Sequence, residues 1–261
     1  MQLSYSRISM YEKCPYAYKL RYILERDTML LTEPDDPLIL GRIMHLGMET
    51  DLNSAIAAYY NYYPIINDRH INEAIKFEYW IPKLKVILPE GEHEVALENE
   101  DFKGFIDLLV PVDENIYDIY DFKYSNNIKS YETSGQLHIY KYYFEKLNPN
   151  KKVRKLFFVF IPKTNLKLKS NRKTGWMEPL YEYRQRLLND MQSKELSIVE
   201  IPYKPDKVIE FLISAKHCLE DTEYNKKSSN LCAWCNFQPY CERGEDWMII
   251  NKKEVLQCQQ V

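Results

Sequence analysis

Asp107, Asp121 and Lys123 are the residues whose types and spacing could do chemistry together. The stretch from Gly104 to Lys123 reads as two apolar runs of strand length separated by the polar turn Asp113-Glu114-Asn115. That pattern predicts a β-hairpin. Asp107 falls on its first strand. Asp121 and Lys123 end the second, two residues apart and therefore on one face. Two carboxylates can hold a hard divalent cation through oxygen, and an ammonium beside them can orient a water-derived nucleophile. The triplet carries little weight alone. With 38 acids and 25 lysines, acid-x-Lys arises by chance about four times. An ordinary amphipathic hairpin with solvated charges would read the same way.

A second set of residues is softer. Cys232, Cys235 and Cys241 form a C-x2-C-x5-C cluster interleaved with Pro239 and aromatics. Clustered cysteines in a cytosolic chain point to metal rather than disulfide. Three thiolates leave one position open on a four-ligand site. Cys14 is the natural fourth, because Glu-Lys-Cys-Pro-Tyr is also aromatic and turn-like. Four thiolates suit tetrahedral zinc or an iron–sulfur cluster, and spacing does not choose between them. Cys218 and Cys258 are left over as plain thiols.

These residues need elements to carry them. Ser4 to Leu24 reads as a helix capped by Ser4 or Ser6, with Ile8, Tyr11, Cys14, Tyr18 and Tyr22 on one face and a break at Pro15. Residues 27–38 are loop chemistry. Leu40 to Tyr62 is a second helical stretch carrying His45, which as a lone histidine equally fits a surface or satisfied core position. Residues 70–88 are helical with a break at Pro82. Glu92 to Glu98 alternates as a strand paired with Phe102–Val110, and it carries Glu94 and Glu98. Ser130 to Leu147 is a helix with Gln136 and Tyr140 four apart on one face. Val153–Ile161 is a buried strand. Leu166–Met177 is an exposed hairpin, and Tyr181–Lys194 and Pro205–Glu220 are helices. The order helix, three strands, helix, strand makes a mixed α/β core with helical material before and after it.

Composition narrows the function classes. The 261 residues are 45% hydrophobic and 28% charged, ordinary for a globular protein with a sizeable core. A net charge of −3 excludes a wholly basic nucleic-acid-coating protein, so any nucleic-acid contact must use a local patch. No apolar run reaches 18 residues, and the N-terminus lacks a signal-peptide layout. A cytoplasmic protein without membrane partners is expected.

Taken in order, these motifs resemble the RecB-like branch of the PD-(D/E)XK nuclease superfamily. More closely, they resemble its iron–sulfur members, the CRISPR-associated nuclease called Cas four and the nuclease domain of AddB. The resemblance rests on Ser-Arg-Ile-x-x-Tyr-x-x-Cys-Pro at 6–15, the His45 helix, Gly104-x-x-Asp107, Asp121-x-Lys123, Gln136-x-x-x-Tyr140 and the closing cysteine triplet. It spans residues 4–244. Asp121 stands where many members have glutamate, and both occur.

The resemblance implies a restriction-endonuclease-like mixed β-sheet core flanked by helices, with N- and C-terminal segments joined at a four-cysteine cluster. One domain would span 1–261: a helical part at 1–90, a nuclease core at 91–200 and a C-terminal helix and cysteine segment at 201–261. It implies His45, Asp107, Asp121 and the Phe122 carbonyl as ligands of Mg²⁺ or Mn²⁺. A bound imidazole makes manganese more plausible than an all-oxygen site would. Lys123 would position the attacking water, and Gln136 and Tyr140 would line the site. Glu94 or Glu98 could support the ligands. Cys14, Cys232, Cys235 and Cys241 would hold an Fe4S4 cluster. The implied activity is a metal-dependent DNA exonuclease favouring single strands or ends, in recombination, repair or CRISPR adaptation beside an integrase or recombination proteins. The alternative is a catalytically silent, zinc- or cluster-stapled DNA-binding subunit. The basic residues Lys151, Lys152, Arg154 and Lys155, and the tip Lys169, Arg172 and Lys173, could meet phosphates or form a solvated face. Trp234 and Phe237 could stack on bases or pack near the cysteines.

Overall fold

The computed structural model describes residues 2–28, 33–244 and 249–251. They form two compact units. One comprises Thr32–Ala96 and Phe105–Tyr203, the other Met1–Leu31, Leu97–Gly104 and Lys204–Val261.

In the smaller unit, Ser4 accepts from the Arg7 N–H and starts α1 (Tyr5–Lys13). Pro15 ends that helix, as expected, and opens α2 (Pro15–Tyr18), which runs into a π-helical turn at Lys19–Ile23. A short strand β1 (Arg26–Thr28) pairs antiparallel with a C-terminal strand, Ile249–Asn251.

The larger unit begins with α3 (Pro37–Glu49). Asp36 caps it by accepting from the Leu38 and Ile39 N–H groups at 2.8 and 3.2 Å. The single helix expected over 40–62 is two, because Asp51 caps a fresh start at α4 (Leu52–Tyr60). Helix α5 (Asp68–Ile87) runs through Pro82 without breaking, contrary to the expected stop. Pro82 is exposed while Phe77, Trp80, Ile81 and Leu84 beside it are buried. A proline inside a helix costs roughly 3 kcal/mol. Burying four large apolar side chains contributes roughly 1.5–3 kcal/mol each, so packing wins.

The sheet follows. Strands β2 (Glu92–Glu98), β3 (Lys103–Asp113) and β4 (Ile116–Tyr124) are consecutive, with β3 and β4 the antiparallel hairpin expected from the sequence. Helices α6 (Ile128–Glu132) and α7 (Gln136–Leu147) cross over to β5 (Lys152–Ile161), which pairs parallel to β4. The single helix expected over 130–147 is interrupted at 133–135, where the Ser134 hydroxyl accepts from the Gln136 N–H at 3.2 Å and Gly135 caps α7. A hairpin of β6 (Ser170–Asn171) and β7 (Trp176–Met177), helix α8 (Leu180–Gln192) and a strand the sequence analysis missed, β8 (Ser197–Glu200), complete the unit. The strand order is β2-β3-β4-β5-β8. Helices α3, α4, α5 and α8 bury their apolar faces against Leu108, Val110, Phe122, Tyr124, Val159 and Ile161 of the sheet. Helix α7 packs on β4 and β5. The result is the expected mixed α/β class, a five-stranded mixed sheet flanked by helices.

The chain ends in the smaller unit with α9 (Pro205–Glu220), which packs against α1, a 3-10 turn at Asn230–Trp234, α10 (Gln238–Arg243) and β9 (Ile249–Asn251). No helix among the described residues is long and apolar enough to cross a membrane.

Candidate active site

Strand β4 sorts its residues by alternation. Phe122 and Tyr124 enter the core under α3 and α5, which turns Asp121 and Lys123 to the other side. There the Lys123 ammonium lies 5.5 Å from the Tyr131 ring and 5.6 Å from the Phe158 ring. On β3, Asp107 reaches across to β4 and its Oδ2 accepts from the Phe122 N–H at 2.6 Å. Helix α3 is held close to α5 at Gly47, where a Cβ would overlap the Ile81 side chain. Two residues before it on α3, His45 projects to the sheet. Its Nε2 faces the Phe122 carbonyl at 3.1 Å, and its Nδ1 lies 3.4 Å from Asp107 Oδ1 and 3.9 Å from Glu94 Oε1.

One atom from each of His45, Glu94 and Asp107 lies within 4.8 Å of the other two, a grouping that could hold a metal ion. Asp121 is fully buried beside them. Lys123 forms an ion pair with it, yet neither Asp121 oxygen has a well-directed hydrogen bond among the described residues. A buried carboxylate without hydrogen bonds is costly. Two carboxylates, Asp107 and Glu94, and the His45 imidazole beside this third acid fit a divalent cation such as Mg²⁺ or Mn²⁺.

The electrostatics agree with that donor set. Burial opposes charge on His45, but Asp107, by field and hydrogen bond, and Asp121 outweigh it and raise the imidazole to about 9. Burial also opposes charge on Asp107, yet His45, Lys123 and the Phe122 N–H hold it below the ordinary carboxylate range. Asp121 goes the other way: burial, with Asp107 nearby, lifts it to about 6 against the pull of Lys123. Lys123 loses solvation but faces Asp121 and Asp107, so its pKa rises and it stays an ammonium. Burial and the neighbouring Asp121 keep Tyr140 a neutral phenol, and Gln136 Nε2 donates to its hydroxyl at 3.0 Å.

The structure brings His45, Asp107, Asp121, Phe122 and Lys123 together, with Tyr140 within electrostatic reach of Asp121 and Asp107 and joined to Gln136. The two candidate supporting acids lie in different surroundings. Glu98 lies exposed, bonded to Gln2 and Lys103, while Glu94 enters the group. Alternation alone does not single Glu94 out from Glu92 or Glu98. Glu94 takes a left-handed backbone (φ +50°) within β2. The basic run after α7 is largely engaged. Arg154 makes a two-pronged pair with Asp118 at 3.1 and 2.7 Å, and Lys155 pairs with Glu200 at 2.8 Å.

The cysteines lie in the smaller unit. Cys14 ends α1, Cys232 and Cys235 lie in and just after the 3-10 turn, and Cys241 is on α10. Ala17, Leu20 and Phe237 make a buried apolar patch against which Cys14 and Cys235 pack. Burial pushes the Cys235 thiol up, with Cys14, Cys232 and Cys241 near enough to add to the rise. Among the described residues no three of these sulfurs lie within 4.8 Å of one another. Phe237 packs, whereas Trp234 is 86% exposed. Cys218 is buried in α9, and Cys258 lies outside the described residues.

Acids, an imidazole and a lysine thus meet on β2, β3, β4 and α3 of a mixed α/β fold. The model of the PD-(D/E)XK nuclease superfamily matches residues 2–242, and the chain belongs to that superfamily. Among solved structures it is similar to one titled "Putative exonuclease" from Eubacterium rectale, with 11% identity, a TM-score of 0.46, and 88% of this chain and 91% of that one covered. No curated protein matches the chain.

Proposed function

We propose that the protein is a Mg²⁺- or Mn²⁺-dependent deoxyribonuclease, an exonuclease acting on single strands or DNA ends, with the whole chain working as one nuclease domain. The observation that carries this reading is the meeting of His45, Glu94, Asp107, Asp121 and Lys123 around an unsatisfied buried carboxylate. His45, Asp107, Asp121 and the Phe122 carbonyl would hold the cation, and Glu94 would add an oxygen. When bound, it would offset phosphate charge and ease deprotonation of water. Lys123, kept charged by Asp121 and Asp107, holds the attacking water or hydroxide by donating a hydrogen bond. It does not serve as a base. Tyr140, kept protonated, donates toward the phosphate or accepts from the Lys123 ammonium, and Gln136 fixes its hydroxyl. The water oxygen bonds to phosphorus and the bond to the leaving oxygen breaks; the attacking water gives up one proton to solvent, and the leaving oxyanion takes one proton from solvent.

We also propose that Cys14, Cys232, Cys235 and Cys241 hold an Fe4S4 cluster. The support is Cys14 and Cys235 packed on one apolar patch, with Cys14, Cys232 and Cys241 all near enough to Cys235 to act on its thiol. A single zinc with Zn–S near 2.3 Å would need sulfurs about 3.8 Å apart. Thiols of this kind stay reduced in the cytosol, where trimmed DNA ends would feed a recombination complex or a CRISPR integrase.

The test is digestion of end-labelled single- and double-stranded DNA with Mg²⁺, Mn²⁺ or EDTA. Cleavage should require metal and release nucleotides from ends. Lys123→Ala and Asp107→Ala should each lower it at least about a hundred-fold while circular dichroism stays unchanged. Folded variants that cut at the wild-type rate would sink the assignment.

A further inference from the structure

The hairpin of β6 and β7 has no part in the site described above, yet its composition is unlike the rest of the chain. Residues 163–177 contain five basic residues and no acid, in a protein whose net charge is −3. Lys167, Arg172 and Lys173 form no ion pair among the described residues. This contrasts with Arg154 and Lys155, whose charges are matched by Asp118 and Glu200. Trp176 and Met177 are 49% and 61% exposed. An indole that open in a two-residue strand contributes nothing to a core.

The hairpin is nevertheless held firmly. A two-stranded hairpin alone is marginal in water. Here its base is clamped by Glu178, only 5% exposed, which accepts from Arg186 of α8 at 2.6 and 2.7 Å and from the Lys169 N–H at 3.0 Å. The Glu178 N–H donates to the Lys169 carbonyl at 3.0 Å, and Arg186 donates to the Lys167 carbonyl at 3.1 Å. The tip is closed by Asn171, whose side chain accepts from the Lys173 N–H at 3.0 Å and whose carbonyl accepts from the Gly175 N–H at 2.9 Å. Gly175 takes a left-handed backbone (φ +72°), which a side chain would strain. Desolvating an ion pair to hold an exposed tip in one place makes sense when that tip meets something.

We propose that this hairpin is a nucleic-acid contact on which a base of single-stranded DNA stacks against Trp176, while Arg172, Lys173 and Lys169 take the adjacent phosphates. Three chemical demands of a single strand are met together: unmatched positive charge, an exposed flat aromatic face and a fixed backbone to present them. Duplex DNA keeps its bases stacked inside and offers the indole no such face. The inference rests on the nuclease reading for its substrate class, but it concerns binding alone.

The experiment is fluorescence anisotropy of a labelled twenty-nucleotide oligo-dT and of a matched duplex, in EDTA so that nothing is cut. Trp176→Ala should weaken oligo-dT binding about ten-fold, and Trp176→Phe should restore most of it. The double variant Arg172→Ala, Lys173→Ala should lower the slope of log affinity against log salt by about 1.4. Oligo-dT binding within two-fold of wild type in Trp176→Ala overturns the proposal, as does an unchanged salt slope in the double variant. Equal losses on duplex and single strand overturn the single-strand assignment. If wild-type protein cuts DNA with metal while the hairpin variants bind normally, the hairpin inference alone fails. If wild type neither binds nor cuts DNA, the nuclease reading fails with it.

Discussion

Glu94 sits in a left-handed backbone that non-glycine residues adopt at a cost of roughly 1–3 kcal/mol. Its carboxylate is half-buried, and its pKa is raised first by burial and then by Asp107, against the pull of His45. Strain and like charge in one residue are costs the fold sustains where a cation would repay them. Glu94→Gly should therefore raise the melting temperature of the metal-free protein by a few degrees while weakening Mn²⁺ binding about 10- to 100-fold, read by calorimetric titration. Glu94→Gln should weaken Mn²⁺ binding without the stability gain. Undiminished Mn²⁺ affinity in both variants would remove Glu94 from the ligand set. Lys123 obeys a related logic. Its charge is maintained by two carboxylates, so replacing it strips the nucleophile's holder and leaves Asp121 buried without a counter-charge.

At the scale of elements, the Glu178–Arg186 pair between β7 and α8 decides how firmly the basic hairpin is carried. Hydrogen bonds from Arg186, together with the Lys169 N–H, hold Glu178 at a pKa of about 2. A glutamate in an unfolded chain titrates near 4.3. Because the folded pKa is the lower one, this group's stabilisation is complete above about pH 4.3 and is lost as pH falls toward 2. Glu178→Gln should melt earlier than wild type at pH 6, and the gap should close as the pH is lowered to 2. Melting curves at pH 6, 4 and 2 would show it, and a gap that does not change with pH would deny Glu178 this role. Helices α3 and α5 illustrate the same dependence on a single contact. Their close approach at Gly47 sets how deeply α3 carries His45 toward the sheet.

For the molecule as a whole, the cysteine site would join residues 14 and 232–241, enclosing most of the chain in one loop. Loop-closure entropy grows only logarithmically with length, but metal binding confined to the folded state adds directly to stability. The cluster is thus expected to be structural. Protein prepared without air should be brown and contain about four irons per chain. Cys14→Ala should lose iron and melt earlier, whereas Cys258→Ala should do neither. One zinc and no iron in anaerobic protein would overturn the cluster while keeping the staple. Full iron retention in Cys14→Ala would remove Cys14 from the site.

The sequence by itself determined the parts that are local. The hairpin of β3 and β4, the break at Pro15, the buried strand β5 and the apolar face of α7 follow from periodicity and turn chemistry within a dozen residues. Strand and helix spacing puts Asp121 with Lys123 and Gln136 with Tyr140, but it was the ordered resemblance, not spacing, that singled them out together with Asp107. Tertiary structure decided what local pattern cannot weigh. Pro82 stays inside α5 because the buried side chains around it outweigh its cost. Helix 130–147 breaks at Ser134 and Gly135, and β8 exists only because β5 offers it an edge. Glu94 rather than Glu98 lies with His45 and Asp107, which alternation along β2 does not distinguish. Which basic run keeps its charge depended on acids distant in sequence, Asp118 and Glu200 for Arg154 and Lys155. Charge pairing and burial are sums over neighbours in space, and the chain order does not list those neighbours.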